Sequence, residues 1–252
     1  MAIERDEAIV LGRTRFSETS LIVTLFTKTR GPLRLVAKGA RRSRSRFAGA
    51  LEPTNHVQTH YYRKETRDLQ LLSQCDILAT FPRLRESLLR LAYGYAIIGA
   101  LIGLKREETD AGSLFRIALS GLEALGSGGE EDLEPSLWGF LMAALSDAGF
   151  RPVMDRCILC GRALASRGAR FDARGGGLLC SAHEGGGLLL SSGTVEILRG
   201  LEEGETPGRK LLPREVAEGR ELFRRFLSEH GLGGSPFRPI EQLVPHGGRK
   251  ER

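Results

Sequence analysis

Four residues have the types and the spacing to hold a metal ion. Cys157-Ile158-Leu159-Cys160 is followed by 19 residues, 161–179, and then by Cys180-Ser181-Ala182-His183. A C-x2-C pair makes a tight knuckle that aims two thiolates at one point, and a second knuckle roughly 15–20 residues later completes a tetrahedron. Zinc suits three thiolates and one imidazole because it is borderline soft. Four protein ligands leave no position for water, the mark of a structural ion rather than a catalytic one. We therefore expect Cys157, Cys160, Cys180 and His183 to bind a structural Zn2+. The glycine-rich segment between the pairs has few apolar residues, so the metal would supply part of its folding free energy. The plain alternative is unrelated reduced thiols beside a chance histidine. A redox C-x-x-C fits less well, because the strand-to-helix context of such sites is missing. A zinc deaminase is excluded, since His183 and Glu184 are adjacent and follow the cysteines instead of forming H-x-E ahead of them. Cys75 fits a small buried hydrophobe.

A second cluster is cationic. Lys38-Gly39-Ala40-Arg41-Arg42-Ser43-Arg44-Ser45-Arg46 holds five cations in nine residues, with no acid between Lys28 and Glu52. They cannot all be paired locally, and desolvation forbids burying them, so they must face water or a polyanion. On phosphate they would displace counterions and give salt-dependent, sequence-independent binding, to which Ser43 and Ser45 can add hydrogen bonds. Arg34 and Lys38 share one face of a strand that leads into this segment. Arg13 and Arg15, in the turn after the first strand, extend the track. The candidate nucleic-acid ligands are thus Arg13, Arg15, Arg34, Lys38, Arg41, Arg42, Arg44 and Arg46. Phe16, Phe47, His60 and Tyr62 are available as stacking platforms, although each fits a core position more readily.

Catalytic signatures are lacking. There is no G-x-x-x-x-G-K-[ST] loop, G-x-S-x-G elbow or H-E-x-x-H, and no acidic pair placed for general acid–base work. We expect a non-catalytic protein with no small-molecule substrate.

The elements that must position these residues fall into two periods. The first 80 residues carry 14 Lys and Arg against 8 Asp and Glu, while the remainder has 23 of each, so the whole net charge of +6 lies in this third. Localised charge of this kind is the footprint of a polyanion-binding face, although a solvated basic surface also accounts for it. Short β-rich runs at Glu7–Gly12, Ser20–Thr27, Leu33–Ala37, Asn55–Arg63 and Arg67–Gln74 predict five strands and a small closed barrel; an SH3-like barrel fits almost as well. From Pro82 the period becomes helical, with Leu84, Leu88, Leu91, Ala92, Tyr95, Ile98 and Ile102 as one apolar stripe. Further helices are predicted over Gly112–Leu125, Leu133–Ala148, Ser192–Glu203 and Pro213–His230. The resulting expectation is an α+β multidomain chain: a barrel over residues 1–80, then a helical domain over 81–252 with a metal-binding insertion at about 153–190. A frayed basic tail begins at Gly247. No signal peptide or membrane span is apparent, and the expected location is cytoplasmic.

Several stretches are similar to the bacterial RecO family of recombination mediators. They are Glu7-Ala8-Ile9-Val10-Leu11-Gly12-Arg13, Glu18-Thr19-Ser20-Leu21-Ile22-Val23, Gly31-Pro32, Val36-Ala37-Lys38-Gly39-Ala40-Arg41-Arg42, Leu51-Glu52-Pro53 and Cys157-Ile158-Leu159-Cys160-Gly161. The resemblance spans about residues 1–190, and it implies that the barrel is an OB-fold. It further implies a nucleoid-associated protein that binds single- and double-stranded DNA and anneals complementary strands. With RecR, such a protein loads RecA onto strands coated by single-strand-binding protein (SSB), whose acidic C-terminal tail docks on the helical domain. Two other classes compete: an RNA-processing or RNA-modifying enzyme that docks substrate through barrel and knuckle, and a protein–protein adaptor whose basic segment meets an acidic tail.

Overall fold

The computed structural model describes residues 2–104, 110–164, 169–183, 186–233 and 235–243, so the tail from Gly247 lies outside the described residues. The chain divides into two compact units, Met1–Pro82 with Lys105–Glu123 and Arg83–Leu104 with Ala124–Arg252.

In the first unit, β1 (Ala2–Arg15), β2 (Leu21–Thr27), β3 (Gly31–Ala37), β4 (His56–Arg63) and β5 (Leu69–Ala79) close into a barrel in the order β1-β2-β3-β5-β4. β3 and β5 run parallel, the other pairs antiparallel, and β1 seals the barrel against β4. This Greek-key order is OB-like and resolves the choice against an SH3-like barrel. β1 is longer than the periodicity predicts because it serves two neighbours, β4 through Ala2–Ile9 and β2 through Ala8–Arg15. Gly12 reads as a strand end in sequence, yet the strand continues through it with a register slip between Val10 and Gly12. A glycine inside a strand commonly marks such a bulge. Arg13 and Arg15 consequently lie within β1 and not in the turn that follows it.

The barrel core is built from inward positions of every strand, including Val10, Val23, Leu35, Val57, Tyr61 and Leu72. Most of α2 (Ala111–Ser127) groups with this unit, and Phe115 packs edge-on against His56 with ring centroids 5.6 Å apart.

The second unit contains α1 (Leu88–Leu104), α3 (Leu133–Asp147), α4 (Ser192–Glu202), α5 (Pro213–Glu229) and α6 (Arg238–Leu243). The sequence period begins a helix at Pro82; a 3₁₀ turn, Pro82–Arg85, stands there instead and α1 starts at Leu88. The buried side of α1 only partly follows the expected stripe. Leu84, Ala92 and Ile98 are buried as expected, but Leu88, Tyr95 and Ile102 are exposed, and Tyr93, Ile97, Ala100, Leu101 and Leu104 are buried in their place. The helix is apolar nearly all round, so two overlapping sets at helical spacing exist and periodicity cannot choose between them. Packing chooses: a Cβ at Gly103 would stand 2.9 Å from the carbonyl oxygen of Leu232. α4 is capped by Ser191, whose hydroxyl accepts from Thr194 N, and α5 opens on Pro213. Gly219 of α5 abuts Trp138 of α3 so closely that a Cβ would fall 2.2 Å from the indole.

An insertion lies between α3 and α4. It contains β6 (Ala169–Asp172), β7 (Gly177–Leu179) and β8 (Leu188–Leu190), ordered β7-β6-β8. Strands of three or four residues are too short for a sequence period to register. Among the described residues no helix is long and apolar enough to cross a membrane.

Candidate metal centre and nucleic-acid interface

The insertion brings the four predicted ligands together. Cys157 and Cys160 flank a tight turn in which Gly161 N donates to Cys157 O at 2.9 Å, with Gly161 at φ 70°. That left-handed conformation suits glycine. Cys180 and His183 flank a second turn, closed by His183 N donating to Cys180 O at 2.9 Å. Three contacts hold the turns face to face: Val153 N to Gly176 O, Leu178 N to Val153 O and Ile158 N to Leu178 O. Gly177 is required there, because a Cβ would lie 2.4 Å from the Ile158 side chain. Arg199 of α4 ties the insertion to the helices, donating through Nε to Met154 O at 2.6 Å and through Nη2 to Leu164 O at 2.9 Å.

All four ligand atoms lie within 4.8 Å of one another. Cys160 Sγ stands 3.8 Å from Cys180 Sγ, Cys157 Sγ 3.5 Å from His183 Nδ1, and Cys180 Sγ 3.1 Å from the same nitrogen. A tetrahedral ion with metal–sulfur bonds of about 2.3 Å has sulfurs about 3.8 Å apart on its edges. The dimensions and the soft donor set therefore fit a metal ion, which this cluster could hold. Its electrostatics agree. Desolvation pushes the Cys157 thiol up, but backbone N–H groups of Cys180, Cys160 and Leu159 outweigh it and hold the thiol down at about 6. The hydrogen bond to His183 lowers the Cys180 thiol and raises the imidazole. Cys75 lies apart in the barrel core, and burial pushes its thiol up to about 12.

The basic segment after β3 is anchored and not loose. Phe47, Ala50 and Leu51 are buried among the barrel side chains, a contribution of about 1.5–3 kcal/mol for a residue such as Phe47. Asn55 Nδ2 donates to Gly49 O and Ala50 O, and Thr54 N and Asn55 O pair with Val10 beside the β1 bulge. Thr54 sits there at φ 74°, uncommon for a β-branched residue. Arg41 Nη1 donates to Ser17 O at 3.1 Å and Glu18 O at 2.7 Å, and its own N–H donates to Thr19 O. The segment is thereby strapped to the β1–β2 turn at one end and plugged into the core at the other.

Lys38, Arg41, Arg42, Arg44 and Arg46 are all exposed between these anchors, and among the described residues none makes an ion pair. The Arg46 guanidinium lies over the Phe47 ring, 4.9 Å from its centroid. The ladder does not set all eight cations in one row. Arg34 is opposite Thr24 on the outer face, whereas Arg13 and Arg15 are opposite Val23 and Leu21, on the face that carries Leu35 and Ala37. Arg13 also pairs with Glu52 at 2.7 Å. Of the four rings, Phe47 is a core plug, His60 and Tyr62 are half-buried, and Phe16 is 55% exposed in the turn that Arg41 clasps. The tethering roles of Arg41 and Arg199 are not legible in the sequence, because a donor aimed at distant carbonyls leaves no local pattern.

Two family models match the chain, recombination protein O N terminal over residues 1–81 and recombination protein O C terminal over residues 85–237. The chain is similar to the DNA repair protein RecO of Symbiobacterium thermophilum, 35% identical over 210 residues that cover 81% of this chain and 82% of that protein. It is also similar to that of Anaeromyxobacter sp. (strain K), 35% identical over 232 residues, 89% of this chain and 90% of the relative. The DNA repair protein RecO of Geobacter sulfurreducens is 32% identical over 242 residues, covering 95% and 96% of the two chains.

Proposed function

The chain belongs to the recombination protein O family and shares its role in DNA repair and recombination, and we propose that it acts there as a non-catalytic mediator. It binds single- and double-stranded DNA and anneals complementary strands. With RecR it helps load RecA onto SSB-coated single strands, and its helical domain, residues 81–252, receives the acidic C-terminal tail of SSB. It works in the cytoplasm, associated with the nucleoid.

One observation carries the DNA-binding part of this reading. The segment after β3 presents five exposed cations without acidic partners, on a backbone pinned at both ends to an OB-like barrel. A pinned segment loses little conformational freedom on binding, so phosphate contacts there translate into affinity. Arg34 extends the surface along the outer face of β3, and Arg13 and Arg15 contribute at the barrel edge. Bases of a single strand stack on Phe16.

Zn2+ is the ion proposed for Cys157, Cys160, Cys180 and His183. Three thiolates exclude the hard cations, and a closed four-ligand set gives zinc a structural role. When bound, it fixes the two knuckles on one centre. The chain's own residues do the rest: the β6–β7 pairing braces the insertion internally, and Arg199 holds it on the helices.

The test is strand annealing. The purified protein mixed with complementary fluorophore- and quencher-labelled oligonucleotides should accelerate duplex formation without cleaving or modifying either strand. Nicked or chemically altered product would favour an enzyme, and an unaccelerated rate would remove the mediator reading.

A further inference from the structure

Three of the four ligands in the insertion are thiols, and they are not equally sheltered. Cys157 is 1% and Cys180 6% exposed, and with Leu179 they form a small core against which Ile158 and Leu164 pack. Cys160 stands outside that core and is exposed, on a turn whose residues 159–163 all face solvent. A Cβ placed on Gly161, the next residue of the turn, would meet no atom within 4 Å. Cysteine oxidation follows thiolate character and access, so an oxidant arriving from water meets Cys160 first.

A second thiol stands ready on the other turn. Cys160 Sγ lies 3.8 Å from Cys180 Sγ, so the two sulfurs must close by about 1.8 Å to reach bonding distance. That is within the reach of side-chain rotation on an exposed turn. Cys157 is less free: its N–H donates to Arg162 O, its carbonyl accepts from Gly161 N, and its Sγ faces His183 Nδ1 at 3.5 Å. Cys75 lies elsewhere, 5% exposed in the barrel core, and serves as an internal control.

We propose that Cys160 and Cys180 are a hydroperoxide-reactive pair, and that their oxidation to a disulfide empties the metal site. The Cys160 thiolate attacks the peroxide: a sulfur–oxygen bond forms, the oxygen–oxygen bond breaks, and hydroxide leaves with the electron pair. The sulfur, oxidised by two electrons, is now a sulfenic acid. The Cys180 thiolate then attacks that sulfur; the disulfide bond forms, the sulfur–oxygen bond breaks and a second hydroxide departs. One peroxide is thus reduced to two hydroxides while two thiolates become one disulfide. Cys157 and His183 alone remain as ligands, and two donors do not complete the four-ligand set of a structural ion. The link joins the two turns, so it differs from exchange within a single C-x-x-C. A dithiol reductant regenerates both thiolates and with them the site. The inference rests on the zinc reading given above.

The experiment treats the full-length, zinc-loaded protein with hydrogen peroxide in the presence of a chromogenic zinc chelator, and maps the products by peptide mass spectrometry. One zinc should enter solution for each disulfide formed, and the peptides carrying Cys160 and Cys180 should be joined. Dithiothreitol with added zinc should reverse both changes. With dimedone present to trap sulfenic acid, the adduct should fall on Cys160. Cys75→Ser should release zinc at the wild-type rate. Zinc that stays bound after peroxide overturns the proposal, as does a disulfide that contains Cys157, an adduct on any other cysteine, or slower release from Cys75→Ser. Wild-type protein that carries no zinc as purified removes the metal reading itself, and this inference with it.

Discussion

The Arg41 guanidinium reaches from the segment after β3 to the carbonyl oxygen of Glu18, 2.7 Å away, and so clasps the β1–β2 turn. Arg42, Arg44 and Arg46 have no such tether. The four arginines should therefore separate by experiment. Removing Arg42, Arg44 and Arg46 together should flatten the single-strand salt slope by about 2, at about 0.7 each. Arg41→Ala should instead free the segment, seen as faster hydrogen exchange over residues 38–50. Equal exchange in Arg41→Ala and wild type would contradict the tether.

Cys180 meets both Cys160 and His183, so Cys180→Ser removes a ligand in contact with two of the other three. Wild-type protein should carry one zinc by elemental analysis, and the variant much less. Limited proteolysis should then cut within residues 157–187 while the barrel stays resistant, because part of the folding free energy of so small a segment comes from its metal. Wild-type protein without stoichiometric metal would contradict the assignment.

In the second unit, Glu134 of α3 is buried and accepts from Arg220 Nε, Trp138 Nε1 and Tyr93 OH. Replacing it leaves the Arg220 guanidinium largely buried without an anion. Glu134→Ala should lower stability by about 3–5 kcal/mol, the usual loss when one partner of a buried pair is removed. Gly219→Ala should also destabilise, since the added methyl would overlap the Trp138 ring. Urea denaturation followed by Trp138 fluorescence measures both, and a loss under about 1 kcal/mol for Glu134→Ala would show the pair to be dispensable.

Glu4 links the strand ends of the barrel, accepting from Tyr61 OH at 2.9 Å, Arg30 Nε at 3.1 Å and Arg63 Nη1 at 3.3 Å. Burial pushes its carboxyl up, but Tyr61, Arg30 and Arg63 outweigh this and hold it below its ordinary value of 4.5. A carboxyl lowered in the folded state binds fewer protons there than in the unfolded chain. Its stabilisation is complete above pH 4.5 and is lost as pH falls through the folded value. Tyr61, raised to about 12 by burial and by Glu4, loses stability in the opposite direction as pH rises from 10 towards 12. Glu4→Gln should lower Tm at pH 7 and make it fall less steeply below pH 4.5; parallel Tm–pH curves would contradict the linkage.

Much of this organisation is legible in the sequence. All five strands are found in order, β2, β3 and β4 within a residue or two of their expected bounds, as are the C-x2-C and C-x2-H pairs and the helices from Gly112, Leu133, Ser192 and Pro213, because caps, turns and knuckles are local signals. What escapes is set by distant partners. β1 outruns its pattern because two strands pair with it, and α1 buries only part of the expected stripe because it is apolar nearly all round. Phe47, which fits a core position more readily than a stacking platform in the sequence, is indeed a plug of the barrel core. The opposite faces of Arg13 and Arg34 follow from a bulge that only the ladder register reveals.

The central claim is that the cations of the barrel segment bind sugar-phosphate backbone. Its most direct test is the salt dependence of single-strand affinity in wild type and in Arg42→Ala/Arg44→Ala/Arg46→Ala. The account predicts a linear fall of log K with log salt in the wild type and a slope about 2 units shallower in the variant. Identical slopes in the two proteins would contradict it.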